Sequence, residues 1–274
     1  MTQALPATDS TPCFQPAGRD EGPDSASARP PACVVAYQHR ELGLLLLNME
    51  SVDAWRNFEP GVRAAVVQTP SSPLRGSQAV IRVVGSHEPI RLVFVGRVIP
   101  AKGLQDVVRA LAEVRCERPA VLSVVGEGPD LAGALTLAAR PEVSAPVDPK
   151  GRMDHTGVAQ QLSQSDIMVF PSYGPERFPT VVLEAMGAGL PIITTRRWGT
   201  ADWLEPDVHA VFTPARDPHA LAQTIMRLAA DVDLRRRMSV ANPEMIRDFE
   251  PGVVAARYAA TLRAMIDSAA GQPR

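Results

Sequence analysis

Cysteine is scarce in this chain. Cys13, Cys33 and Cys116 are an odd number with no CxxC spacing, which argues against both a disulfide framework and a zinc site. A reducing, cytoplasmic compartment is the simplest fit. Long apolar runs are missing as well: the longest, Leu42 to Leu47, falls far short of the ~20 residues a membrane helix needs. Residues 1–31 lack the apolar centre of a signal peptide. Charge of one sign is also lacking. With 28 Lys and Arg against 30 Asp and Glu, the net charge of -2 gives no electrostatic case for nucleic acid. The five histidines, His39, His87, His155, His209 and His219, show no metal-ligand spacing. Ser172 lacks the Gly-x-Ser-x-Gly setting of a nucleophile elbow, so a hydrolase triad has no support.

What is present divides into three stretches. Residues 1–31 are rich in Pro, Ala, Ser and acids, with Leu5 and Phe14 as the only large apolar side chains. Such a segment cannot bury enough surface to offset its ordering entropy and is expected to be a disordered tail. Residues 32–90 give mixed signals. Strands are predicted at Cys33 to Ala36, Ala64 to Val67 and Ala79 to Val84, a helix at Glu41 to Phe58, and a linker around Pro70, Pro73 and Gly76. This is a reduced N-terminal fragment, too short for an independent Rossmann domain.

From residue 91 to about 270 the periodicity alternates cleanly. Strand-like runs at Leu92 to Val95, Ala120 to Val125, Ile167 to Phe170 and Ile192 to Thr194 alternate with helical segments at Leu104 to Arg115, Leu131 to Ala139, Gly157 to Ser163 and Pro179 to Ala188, while Val143 to Val147 is a poor strand with Pro146 and Pro149 close by. An edge strand is predicted at Val208 to Phe212. Helices follow at His219 to Ala229, Leu234 to Val240 and Val253 to Ser268. That order predicts an α/β fold, a doubly wound parallel sheet built from right-handed βαβ units. The phrase Asn57-Phe-Glu-Pro-Gly-Val nearly recurs from Asp248 and is taken as two similar helix-start signals.

In such a sheet ligands bind beyond the carboxyl ends of the strands, and the informative loops fall there. Gly96-Arg97 follows the first strand, and Lys102-Gly103 opens a helix. Two cations beside a helix N-terminus suit a pyrophosphate; a glycine-capped turn with solvated charges explains the same residues. Gly126-Glu127-Gly128-Pro129 is a tight turn into a helix. It is not a dinucleotide fingerprint, because Leu131 stands where the third glycine belongs. Gly151-Arg152-Met153 closes the next strand.

The densest stretch is Ser165 to Leu190, predicted as strand, loop and helix, with Pro179 at the first helical position and Gly187, Gly189 and Pro191 marking the helix end. It carries Glu176 in the loop and Glu184 in the helix. Helical side chains lean toward the N-terminus, so Glu184 aims back at the loop mouth. A carboxylate among Val181, Val182, Leu183, Ala185 and Met186 needs a polar partner or solvent, since burying an unpaired charge is costly. A solvated helix residue and a loop charge is the plain alternative. Tyr173, Phe178 and Trp198 lie near the glutamate loop, where they either line a sugar pocket or pack in the core.

Taken together, Pro171-Ser172, Glu176, Phe178-Pro179, Glu184-Ala185-Met186 and Gly189-Leu190-Pro191 resemble the donor-site signature of retaining GT-B glycosyltransferases of the family 4 type. The resemblance covers about Arg91 to Ile266, the C-terminal donor-binding half of such an enzyme. It implies that Arg97 and Lys102, with Gly96, hold the diphosphate of a nucleotide sugar and that Glu184 binds the ribose hydroxyls. Glu176 would bind the transferred sugar. Amides near Phe178 and Thr180 would add hydrogen bonds, and the backbone at Gly151 and Arg152 would meet the nucleobase. It further implies transfer of a hexose-type sugar with retention and no metal at the diphosphate. The acceptor would be a glycan or lipid-linked, in bacterial envelope or exopolysaccharide assembly, with the protein at most peripheral at the inner face of the membrane. A non-catalytic nucleotide-sugar-binding or scaffold protein is the other reading.

Three positions depart from the family pattern. Arg177 stands where Gly is usual, with one extra residue between Pro171 and Glu176. Gly199-Thr-Ala-Asp202 replaces two glycines, an apolar residue, Pro and Glu. The N-terminal acceptor-binding domain is absent or reduced, which implies an N-terminal-domain partner subunit or a homo-oligomer.

Overall fold

The computed structural model describes residues 35–39, 43–46, 64–66, 88–143, 145–174, 178–197 and 199–270. The predicted tail at 1–31, the strand at Ala79 to Val84 and the linker at 70–76 lie outside the described residues, as do Glu176, Arg177 and Trp198.

Three short strands come first: β1 (Val35–His39), β2 (Gly43–Leu46) and β3 (Ala64–Val66), with β1 and β2 antiparallel and β2 and β3 parallel. β2 corrects the helix predicted from Glu41, since its residues 43–46 pair as a strand. A short run of leucines fits a buried strand as well as a helix, and pairing decides between them.

The main sheet holds six parallel strands, β4 (Ile90–Val95), β5 (Ala120–Val125), β6 (Val147–Gly151), β7 (Ile167–Phe170), β8 (Ile192–Thr195) and β9 (Val211–Thr213). Their order is β6-β5-β4-β7-β8-β9. The chain therefore winds outward from β4 through β5 to β6, then returns to β7 and winds the other way. The switch point lies between β4 and β7. β7 and β8 are buried at every residue and β4 at all but one, which is why they show as unbroken apolar runs. β6 is an edge strand and mostly exposed, so it tolerates Pro149. It begins at Val147, where the sequence predicts its end, because edge position rather than hydrophobicity defines it.

Helices cover the sheet: α1 (Leu104–Leu111), α2 (Leu131–Ala138), α3 (His155–Ser163), α4 (Thr180–Gly187), the short α5 (Gly199–Trp203), α6 (Pro218–Ala230), α7 (Val232–Ile246) and α8 (Pro251–Ala270). α1 buries Leu104, Val107, Val108 and Leu111, the spacing of one helical face. Each buried aliphatic side chain is worth ~1.5–3 kcal/mol relative to exposure. Asp154, Asp217 and Asp231 cap α3, α6 and α7 by accepting from Gly157, Ala220 and Leu234 amides at 2.8, 2.9 and 2.8 Å. Pro179 is the N-cap of α4 rather than its first residue, with extended backbone at ψ 125°. Among the described residues no helix is long and apolar enough to cross a membrane.

α7 docks beside α4 through one buried polar contact. Asn242, fully buried, donates its side-chain amide to the Leu190 carbonyl at 2.8 Å, one residue before Pro243 in the same helix. Replacing Asn242 by alanine leaves that carbonyl without this donor. The expected cost is about 1–3 kcal/mol of stability, measured by denaturant unfolding.

Candidate donor site at the switch point

Parallel strands place all their carboxyl ends on one rim, and the two loops flanking the β4/β7 switch point meet there. The β4–α1 loop is held from both sides. Val98, fully buried, receives a hydrogen bond at its carbonyl from the Asp130 amide (3.1 Å) and donates its own amide to Glu127 (2.8 Å), which ties the loop to the β5–α2 turn. On the other side the Ala101 carbonyl accepts from the amides of Tyr173 (2.8 Å) and Gly174 (3.2 Å) and from the Ser172 hydroxyl (3.2 Å), all in the β7–α4 loop. Gly103 has φ 75°, and a Cβ there would stand 2.7 Å from the Pro171 carbonyl oxygen, so glycine permits the closest approach of the two loops. Ser172 is thus structural.

This scaffold carries the two predicted cations. Arg97 is exposed, whereas Lys102 is partly buried with its ammonium 5.2 Å over the Phe170 ring. Burial first, and the nearby Arg97 charge second, push the Lys102 pKa down from 10.5 to about 8. Two cations brought together in a half-desolvated place repel each other until an anion arrives, and this is the electrostatic pattern of an anion-binding loop.

Glu184 lies one turn inside α4. Its side chain is only 16% exposed, and burial raises its carboxyl pKa. His155, the first residue of α3, faces it from the β6 side, Nδ1 to Oε1 3.6 Å, and opposes that rise. The sequence gives no hint of this pair, because the two residues belong to different crossovers. Replacing His155 by alanine removes the opposing charge, so the Glu184 side-chain carboxyl should titrate at higher pH than in the wild type. Carbon-detected NMR titration measures it, and an unchanged or lower midpoint would contradict the pair.

Gly96, Gly126 and Gly151 stand at adjacent strand ends. The Gly126 amide donates to the Gly151 carbonyl at 2.8 Å, and the Gly96 amide to the Val125 carbonyl at 3.0 Å. Arg152 is exposed beyond Gly151. Thr180 opens α4 and is exposed. Phe178 does not line a pocket with its ring. It is 3% exposed and packs on Phe249 at 5.1 Å between centroids, while Trp203 meets Phe249 at 5.6 Å. Its backbone runs so close to α5 that a Cβ on Gly199 would lie 2.7 Å from the Phe178 nitrogen. Residues 199–203 are a short helix, with Thr200 donating to the Thr195 carbonyl at 2.9 Å and to that of Arg197 at 2.6 Å. Of the other histidines, His209 accepts from the Glu205 amide (3.1 Å) and His219 meets Glu113 (2.6 Å). Among the described residues no group of three His, Cys, Asp or Glu could hold a metal ion.

A parallel α/β sheet with cations at its switch point and a recessed carboxylate on the following helix is a Rossmann-like domain, and its relatives and structural neighbours identify it as the C-terminal domain of the GT-B glycosyltransferase fold. The chain belongs to the family described as glycosyl transferases group 1, whose model matches residues 89–231. It is 30% identical over 169 residues to a glycogen synthase of Mycobacterium tuberculosis, covering 61% of this chain and 41% of that protein. It is also 30% identical over 168 residues to the N-acetyl-alpha-D-glucosaminyl L-malate synthase of Bacillus anthracis, covering 61% and 43%. The chain thus spans about two fifths of the length of these relatives. In fold it is similar to HepE of Anabaena, solved in complex with UDP and glucose (TM-score 0.66, 19% identity, 80% of this chain and 62% of that one). It is likewise similar to the sucrose-phosphate synthase of Thermosynechococcus elongatus (TM-score 0.64, 22% identity, 82% and 58%).

Proposed function

We propose that this chain binds a nucleotide-diphosphate sugar at the β4/β7 switch point and forms the donor half of a glycosyltransferase. The observation that carries this reading is the convergence of Arg97 and Lys102 on one loop, at the same rim to which Glu184 leans from α4. Arg97 and Lys102 neutralise the diphosphate and stabilise it as it departs, which leaves no need for a metal. Glu184 accepts hydrogen bonds from the ribose hydroxyls, and the backbone at Gly96 approaches the phosphates. The amides near Phe178 and Thr180 lie at the open start of α4, where they suit an anion or a sugar oxygen. Glu176, in the loop before α4, takes the transferred hexose, and the strand end at Gly151 and Arg152 meets the base. The likeness to HepE, solved in complex with UDP and glucose, supports this assignment.

The reaction is transfer with retention of configuration to a glycan or lipid-linked acceptor. A GT-B active site is a cleft between two domains, so the acceptor side belongs to an N-terminal domain that faces this rim. A second reading, a nucleotide-sugar-binding or scaffold protein without turnover, draws on the 199–203 segment. Its sequence, Gly199-Thr-Ala-Asp202, differs from the family's two glycines, apolar residue, Pro and Glu at that place.

Calorimetry with UDP- and GDP-sugars tests the shared part: one of them should bind, and if none does the donor-site assignment is wrong. Hydrolysis or transfer by the purified chain separates the two readings, because turnover excludes the second.

A further inference from the structure

A second cationic feature lies on the same rim, outside the β4–α1 loop that carries Arg97 and Lys102. Arg216, in the β9–α6 loop, places its guanidinium carbon 4.3 Å from the centroid of the Tyr173 ring. Its backbone is left-handed, φ 57°, a region that a non-glycine residue occupies at a cost. The acid beside it, Asp217, is engaged in capping α6 through the Ala220 amide at 2.9 Å. Next to it in the sheet, Arg196 follows β8 and rests its guanidinium 5.6 Å from the Phe212 centroid on β9. Both arginines are exposed, and among the described residues neither forms an ion pair with a carboxylate.

A guanidinium held over an aromatic ring spends none of its N–H donors on that contact and keeps them for an acceptor. Those donors suit the two oxygens of a phosphate or carboxylate, which a guanidinium binds in bidentate fashion. The position matters as much as the chemistry. Tyr173 carries Arg216 on its ring, and its own amide donates to the Ala101 carbonyl at 2.8 Å, immediately before Lys102. Arg216 is therefore two contacts away from the loop that holds the diphosphate cations, on the β8/β9 side of the switch point.

We propose that Arg216, held over the Tyr173 ring and flanked by Arg196, is a specificity-determining residue that binds a second oxyanion, a phosphate or carboxylate, beside the donor diphosphate. This rests on the donor-site reading for its position but not for its chemistry. Two sources can present that oxyanion: an acid group on the transferred sugar, or an anionic group on the acceptor close to the accepting hydroxyl.

The experiment is calorimetry on the full chain. Inorganic phosphate is titrated into wild type saturated with UDP or GDP, whichever binds, and into Arg216→Gln and Tyr173→Leu, with thermal melting to confirm folding. Wild type should bind phosphate. Arg216→Gln should lose at least tenfold in phosphate affinity, with a loss for the nucleotide at least fivefold smaller. Tyr173→Leu should weaken phosphate in the same direction, and Arg140→Gln, an exposed charge after α2, should not. Comparison of UDP-glucose with UDP-glucuronate then separates the sources. A preference of fivefold or more for the glucuronate that disappears in Arg216→Gln assigns the oxyanion to the sugar, and equal affinities assign it to the acceptor. Phosphate binding that is absent from wild type, or equal in wild type and Arg216→Gln, overturns the proposal. If neither nucleotide binds, the donor reading fails by itself. Phosphate titration of the unliganded wild type against Arg216→Gln then still decides this proposal by the same tenfold criterion.

Discussion

Lys102→Ala should weaken nucleoside-diphosphate binding by about 10- to 150-fold, the equivalent of the ~1.5–3 kcal/mol carried by a hydrogen bond to a charged group. The loss should be larger than for an exposed lysine, because Lys102 is partly buried and its charge is held near Arg97. The pH dependence is more diagnostic than the size. With a pKa of about 8 in the free protein, Lys102 is already losing its proton at mildly alkaline pH. An anion bound beside it favours the ammonium and moves the pKa back up. Wild-type affinity should therefore fall as pH rises through 8, and binding near pH 8 to 9 should take up a proton, visible as a dependence of the calorimetric heat on buffer ionisation. Lys102→Arg keeps its charge throughout and should abolish both effects. The same depressed pKa has a consequence for folding. The unfolded lysine retains a proton that the folded one releases, so this group's contribution to stability rises from pH 8 toward 10.5 in the free protein. Bound diphosphate should suppress that rise. A flat affinity from pH 7 to 9 in the wild type would remove Lys102 from the site.

The second large effect is expected at Gly126. A Cβ built there would lie 1.9 Å from the Gly96 carbonyl oxygen, and the backbone φ of 135° is one that side chains rarely adopt. Neither neighbour can yield cheaply. Gly96 is hydrogen-bonded back to Val125, and Gly126 to Gly151. Gly126→Ala should destabilise the domain by about 3 kcal/mol or more, combining backbone strain with the clash. In the fraction that stays folded, Gly96 and Arg97 must shift, so diphosphate affinity should fall as well. Gly252→Ala is the internal comparison, since its Cβ meets nothing within 4 Å in the first turn of α8. That substitution should leave binding intact and raise stability by about 0.5–1 kcal/mol. Denaturant unfolding and calorimetry on the pair separate a general intolerance of alanine from a specific loop contact.

The central sheet is legible in the sequence because β4, β7 and β8 are covered on both faces, which forces continuous apolar runs. Where burial is one-sided or absent, the signal weakens. β6 lies further along the chain than its sequence predicts because its exposed edge carries Pro149 and few apolar residues. The run around Leu44 suits helix and strand equally, and only its pairing with β1 and β3 settles it. The positions of Arg97, Lys102 and Glu184 are legible because each sits at a strand end or one turn into the helix that follows, places fixed by local periodicity. The His155–Glu184 pair and the contact of Arg216 over the Tyr173 ring are not. Each joins loops from separate crossovers, and nothing local in the chain encodes which loops meet on the rim. Phe178 shows the reverse limit, since its ring beside a predicted ligand loop serves the core against Phe249.

A crystal structure of the chain with a bound UDP- or GDP-sugar tests the central claim most directly. Diphosphate oxygens within hydrogen-bonding distance of the Arg97 and Lys102 side chains, with ribose hydroxyls on Glu184, are the expected result. A nucleotide bound away from the β4/β7 switch point, with those three side chains untouched, would contradict it.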